Sequence, residues 1–196
     1  DLFTSSAGFT PVVNTGSAAA SASVIFSTDT TLVKECYKLD ITPSRISIQA
    51  AGKEGFFYAV QSIRQLLPPA IENKEPVSNI QWNVPALNVQ DSPRFPYRGL
   101  LLDVSRCFIP KENVIKIIDY MAMLKLNRLN LHLVDGNGWR LEIKKYPRLT
   151  EVGAWRVARE GDFSQRKNAK PGEPTPVGGF YTQEDMKEII AYANAR

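Results

Sequence analysis

Two polar clusters in this sequence each stand at the end of an apolar run. Asp103, Ser105 and Arg106 follow Leu100-Leu101-Leu102, and His132 with Asp135 closes Leu129 to Val134 and leads into Gly136-Asn137-Gly138-Trp139-Arg140. A guanidinium fork can give two hydrogen bonds to neighbouring hydroxyls, and charges on facing strand tips can pair or share a network. Each residue has a bland reading beside the chemical one. Arg106 is either a ligand-gripping cation or the ion-pair partner of Asp103 or Asp135. Asp103 lies within an apolar strand, where a charge must be paired, so structural support is its first reading. His132, the only histidine, reads as a hydrogen-bonded residue rather than a base or metal ligand, because one histidine without a ligand set binds no metal well.

The elements that must position these groups are legible around them. Tyr97 to Arg106 reads as a buried parallel strand delivering polar groups at its C-terminal tip. Pro110 sits where a first helical residue belongs, and Val114, Ile117, Ile118, Met121 and Leu124 recur at spacings of three and four, predicting one apolar helical face that ends near Asn127. A second strand is predicted over Leu129 to Val134. Strand, helix and strand with short links form a right-handed parallel unit whose ligands meet the carboxyl ends of the strands. The two polar clusters are therefore expected side by side.

The same residues carry a resemblance. Arg98-Gly99, Leu102 to Arg106, Tyr120-Met121-Ala122 with Lys125-Leu126-Asn127, His132 to Asp135 leading to Gly138-Trp139-Arg140, Lys145 to Thr150, and Gly153 to Arg156 closely resemble the beta-N-acetylhexosaminidases of glycoside hydrolase family 20. Ordered over about sixty residues, the match is far more specific than a single short motif. The resemblance implies a hydrolase that removes terminal N-acetylglucosamine or N-acetylgalactosamine from glycans or chitooligosaccharides, without a cofactor. Its nucleophile is the substrate's own 2-acetamido oxygen, so it retains configuration by an exceptional route. A Glu protonates the leaving oxygen, and an adjacent Asp orients the acetamido group. By the motif match, Arg106 corresponds to the arginine that grips hydroxyls of the terminal sugar, and Asp135 to an acidic residue of the same pocket. Trp139 and Trp155 either wall a sugar site or pack in a core. Cys107 stands where the family usually has His, and Gly136-Asn137 replaces its more usual Asp or Gly followed by Gln.

Ahead of this stretch, residues 1 to about 28 are rich in Ala, Ser, Thr and Gly and read as a loose strand pair or a frayed end. Tyr37, Leu39 and Ile41, then Ile46, Ile48 and Ala50, fall at period two, predicting antiparallel strands with one buried face. Gly52 and Gly55 bracket the entry to a helix over Phe56 to Leu67 with Phe56, Ala59, Val60, Ile63, Leu66 and Leu67 on one side, stopped by Pro68-Pro69. A strand near Val84 to Val89 precedes Asp91-Ser92-Pro93, a turn-forming joint. The expected organisation is a small α+β domain over residues 1–93, an antiparallel sheet with a covering helix, followed over 94–196 by the first two β/α units of a (β/α)8 TIM barrel. A folding support for the barrel is the first reading of the small domain.

Beyond Arg156, residues 157–179 form a polar, basic loop broken by three prolines, either an active-site wall or poorly ordered. Thr182 then caps a helix with Met186, Ile189, Ile190 and Ala193 on its apolar face, expected to reach Arg196. A complete barrel needs about 200 residues or more, and no Asp is followed directly by Glu in the chain; Glu184-Asp185 has the reverse order and sits at a helix start, where capping explains it. The expectation is an incomplete barrel, inactive alone, with the catalytic pair beyond Arg196 and its truncated sheet prone to self-association. The rival reading is a noncatalytic glycan-binding or assembly module.

Composition narrows the classes further. Much of the excess behind the net charge of +4 sits between Arg156 and Lys170, with no basic helix interleaved with aromatics, which argues against nucleic-acid binding. No apolar stretch is long enough to cross a membrane. Cys36 and Cys107 are too few for a disulfide framework and read as two separate buried or half-buried thiols. A periplasmic or secreted setting is the expectation.

Overall fold

The computed structural model describes residues 2–10, 12–16, 24–158 and 169–196. The small-residue run Ser17 to Ser23 and the middle of the 157–179 loop lie outside the described residues. The chain divides into two compact units, Asp1–Pro96 and Tyr97–Arg196.

The first unit is built on a four-stranded sheet of β1 (Val24–Thr28), β2 (Tyr37–Ile41), β3 (Ile46–Ala50) and β4 (Leu87–Asp91), in the order β1-β3-β2-β4. The period-two residues meet across the β2–β3 hairpin, where Tyr37 faces Ala50, Leu39 faces Ile48 and Ile41 faces Ile46. With all but Ile46 of these buried, the pairs form the core face, and each Leu or Ile side chain withdrawn from water contributes about 1.5–3 kcal/mol. The sheet is mixed rather than antiparallel, because β1 lies parallel to β3. Alternating burial reports which face of a strand is covered, and pairing direction depends instead on where the connection returns.

The covering helix α2 (Lys53–Leu66) begins three residues earlier than its apolar pattern suggests, with Gly55 inside it. A Cβ on Gly55 would lie 2.4 Å from the Cys36 carbonyl oxygen and 2.8 Å from the Ala50 Cβ, so the missing side chain lets the first turn settle directly on the sheet. The buried stripe runs through Gly55, Tyr58 and Ala59, and Val60 is exposed. A short helix, α1 (Leu2–Ala7), occupies part of the region expected to be a strand pair or frayed end.

In the second unit, β5 (Gly99–Asp103) and β6 (Arg128–His132) pair in parallel, joined by helix α3 (Lys111–Met123), as the strand-helix-strand pattern predicts. Pro110 is the N-cap of α3, one position before its first residue. The helix stops at Met123 rather than near Asn127, since Lys125 takes a left-handed conformation at φ 59°. Lys125 and Leu126 then donate their N–H groups to Ala122 and Met121 at 3.0 and 2.8 Å, which closes a Schellman C-cap. Helix α5 (Gln183–Asn194) is capped by Thr182 and Asp185 in a reciprocal capping box.

One core of this unit is made of Val104, Val114, Ile118, Tyr181 and Ile189, with Leu102, Leu129 and Leu131 against it. Leu100, Leu102, Leu129 and Leu131 share one sheet face by register, and Leu101, Asp103, Asn130 and His132 share the other. That second face is open, with Leu101 60% exposed. The remaining described elements of this unit are two-residue hairpin strands β7 (Val134–Asp135) and β8 (Gly138–Trp139), the short helix α4 (Arg148–Glu151), and the pair β9 (Trp155–Arg156) and β10 (Val177–Gly178).

Candidate functional site

Parallel pairing in register sets Asp103 directly opposite His132, so the tips of β5 and β6 bring the two polar clusters together. Asp103 first shapes its own turn. One carboxylate oxygen accepts the N–H groups of Ser105 and Arg106 at 3.1 and 3.0 Å, and the other accepts from the Arg106 guanidinium at 2.9 Å. Arg106 reaches across the strands to Asp135 at 2.7 Å, and His132 Nε2 lies 3.1 Å from Arg106 and 3.0 Å from Asp135. Asp135 is held by the backbone N–H of Gly136 at 2.6 Å. Arg106 thus has both partners that the residues allowed, and its side chain remains 41% exposed.

The electrostatics favour charged groups. Burial pushes the Asp103 carboxyl upward, but the Arg106 N–H and guanidinium outweigh it and leave the group below the usual carboxylate range. At Asp135 the Gly136 N–H, then the His132 hydrogen bond and the Arg106 charge, lower the pKa against partial desolvation. His132 is shared between unlike neighbours. A neutral Nε2 either carries a proton for the carboxylate or offers a lone pair to the guanidinium, so it serves one at a time. The cluster is a half-exposed cation held between two anions, able to donate to neutral oxygens, and it contains no group tuned toward a neutral carboxylic acid.

Asp185 is committed elsewhere. Its hydrogen bonds from Lys111 and Thr182 lower its pKa to about 2, the reverse of what a general acid needs. Trp139 donates its indole N–H to the Leu141 carbonyl at 2.6 Å, and Trp155 is partly exposed on β9. Cys107 is exposed and Cys36 buried, both free, so Cys107 is more open than expected. Among the described residues no group of three or more His, Cys, Asp or Glu could hold a metal ion, and no helix is long and apolar enough to cross a membrane.

The residue that sequence reasoning passed over is Arg140. It is fully buried and donates to the carbonyls of Val104 and Ser105 at 3.0 and 2.8 Å, of Gly179 at 3.0 Å and of Ala154. Room for it comes from Gly138, two residues before it, where a Cβ would lie 2.3 Å from the guanidinium carbon.

A parallel β/α unit with a charged cluster at its strand tips defines an α/β protein with its site at the carboxyl edge of the sheet. The family model for the glycosyl hydrolase family 20 catalytic domain matches residues 95–196, and that for domain 2 of the same family matches residues 1–92. The chain belongs to glycoside hydrolase family 20. It is 42% identical over 165 residues to a beta-hexosaminidase of Porphyromonas gingivalis, covering 84% of this chain and 19% of that protein. Among solved structures, it is similar to the beta-N-acetylhexosaminidase of Streptomyces coelicolor A3(2), with a TM-score of 0.81 and 32% identity over 99% of this chain and 36% of that one. It also resembles an exo beta-N-acetylglucosaminidase of Vibrio harveyi in complex with N-acetylglucosamine, with a TM-score of 0.73 and 37% identity over 90% of this chain and 26% of that one. The chain spans between 17% and 30% of the length of the curated relatives it matches.

Proposed function

We propose that the whole protein is an exo-acting beta-N-acetylhexosaminidase that removes terminal N-acetylglucosamine or N-acetylgalactosamine by substrate-assisted retaining catalysis, and that this chain supplies its sugar-holding part. The observation that carries the reading is the Arg106 network. Asp103 and Asp135 flank a half-exposed guanidinium at the tips of two parallel strands, in a chain of this family. Two charge-assisted hydrogen bonds from one planar fork suit adjacent sugar hydroxyls. In this reading β5 and β6 are the first strands of a (β/α)8 barrel, and the open face bearing Leu101 and Asn130 is interior surface that later strands close over. The domain boundary lies at Asp91-Ser92-Pro93, and the catalytic Asp-Glu pair lies beyond Arg196.

The test is turnover of 4-nitrophenyl N-acetyl-β-D-glucosaminide by the full-length protein, followed by NMR to assign the anomer released first. Retention is expected. Arg106→Ala should lower kcat/KM on the order of a hundredfold, the loss of two hydrogen bonds to a charged donor at about 1.5 kcal/mol each. Inversion, or an Arg106→Ala variant as active as the parent, would sink the assignment.

A further inference from the structure

Four main-chain carbonyls converge on Arg140, and no ion pair among the described residues includes it. Burial pulls its pKa down, yet a guanidinium stays protonated in proteins. A buried charge without an anion is costly, and here the cost is offset by four carbonyl acceptors that would each lose this donor if the side chain were apolar. What the charge provides is direction. Two of the four carbonyls belong to Val104 and Ser105, the consecutive residues just before Arg106. The same turn is tied a second time by the Ser105 hydroxyl, which donates to the Gly138 carbonyl at 2.8 Å. The other two carbonyls, of Ala154 and Gly179, flank the β9–β10 pair, and the Phe108 ring centroid lies 5.9 Å from the guanidinium carbon. Gly138 leaves the volume that the guanidinium fills.

We propose that Arg140 is a positioning residue of the sugar site: by fixing the Val104 and Ser105 carbonyls, it sets the direction in which Arg106 leaves the strand tip, so that the Arg106 donors meet a sugar already aimed. The inference rests on the reading of Arg106 as a sugar-binding group. Lysine in place of Arg140 keeps the charge but, as a point donor on a flexible stem, cannot hold four carbonyls in a fixed fork.

The experiment is a double-mutant cycle on the full-length protein. N-acetylglucosamine affinity is measured by calorimetry for the parent, Arg140→Lys, Arg106→Lys and the pair, with circular dichroism reporting the fold. Arg140→Lys should weaken binding on the order of tenfold in the parent background and by less than about twofold once Arg106 is already replaced. A purely structural role would give the same factor in both backgrounds, and that result, or an unchanged affinity for Arg140→Lys, overturns the proposal while leaving the sugar site intact. A parent protein that does not bind N-acetylglucosamine would bring down the site reading and this proposal together. Should Arg140→Lys fail to fold, Ser105→Ala cuts the second tether of the same turn without stranding a charge. Its affinity should fall in the parent and not in the Arg106→Lys background, and an unchanged affinity for Ser105→Ala would then overturn the proposal.

Discussion

Single carboxylates set how this chain responds to acid. Asp185 has a folded pKa lowered to about 2 by Lys111 and Thr182, against about 3.9 for an unfolded aspartate. As pH falls, the unfolded chain takes up the proton first, so the stability Asp185 contributes is complete above about pH 5 and lost on descent toward pH 2. Asp103 and Asp135 act in the same direction. Urea midpoints should therefore fall more steeply between pH 5 and 2.5 in the parent than in Asp185→Asn, which keeps a capping side chain; parallel curves would contradict the assignment. At this scale the sequence displayed Arg106, Asp103, His132 and Asp135 because each stands in or beside an apolar run where a polar group is conspicuous. Arg140 was hidden because its acceptors are backbone carbonyls from residues up to 39 positions away, and carbonyls leave no mark in side-chain pattern.

Elements were legible in kind and misread at their edges. The β5–α3–β6 unit and the capped helix α5 follow from apolar periodicity and capping chemistry, whereas the end of α3 is fixed by Lys125 in a conformation that only its neighbours' hydrogen bonds select. A lysine there carries a cost that glycine avoids. Lys125→Gly should stabilise the second unit by about 0.5–1 kcal/mol, read as a rise in thermal midpoint. Gly55→Ala should act oppositely in the first unit, costing about 1–3 kcal/mol by forcing α2 away from the Cys36 carbonyl. Side chains such as Val60 and Ile190 satisfy the helical spacing yet are exposed. Apolar stripes are broader than the surface they meet, and only the packed partner decides which margin is covered.

For the molecule as a whole, the open face of β5 and β6 is the surface that the proposed barrel closes over. Residues 97–196 expressed alone should sediment as species larger than a monomer, because Leu101 and the edges of the sheet, two-stranded among the described residues, invite association; a monodisperse monomer would show that the face tolerates water. On the proposed reading, residues 1–196 alone should not turn over 4-nitrophenyl N-acetyl-β-D-glucosaminide, and turnover by the purified 1–196 polypeptide would contradict it. The Arg140 cage has a last consequence for how such a protein can vary. Ala154 and Gly179 sit at the two feet of the loop that leaves through Arg156 and returns at Val177, and one guanidinium fastens both. The distance between the feet is thereby independent of how much chain runs between them. Each doubling of that span costs only about 0.6 kcal/mol in closure entropy. Insertions there should be inherited without disturbing Arg106, which makes the loop a place where related proteins can diverge in length while the charged cluster keeps its geometry.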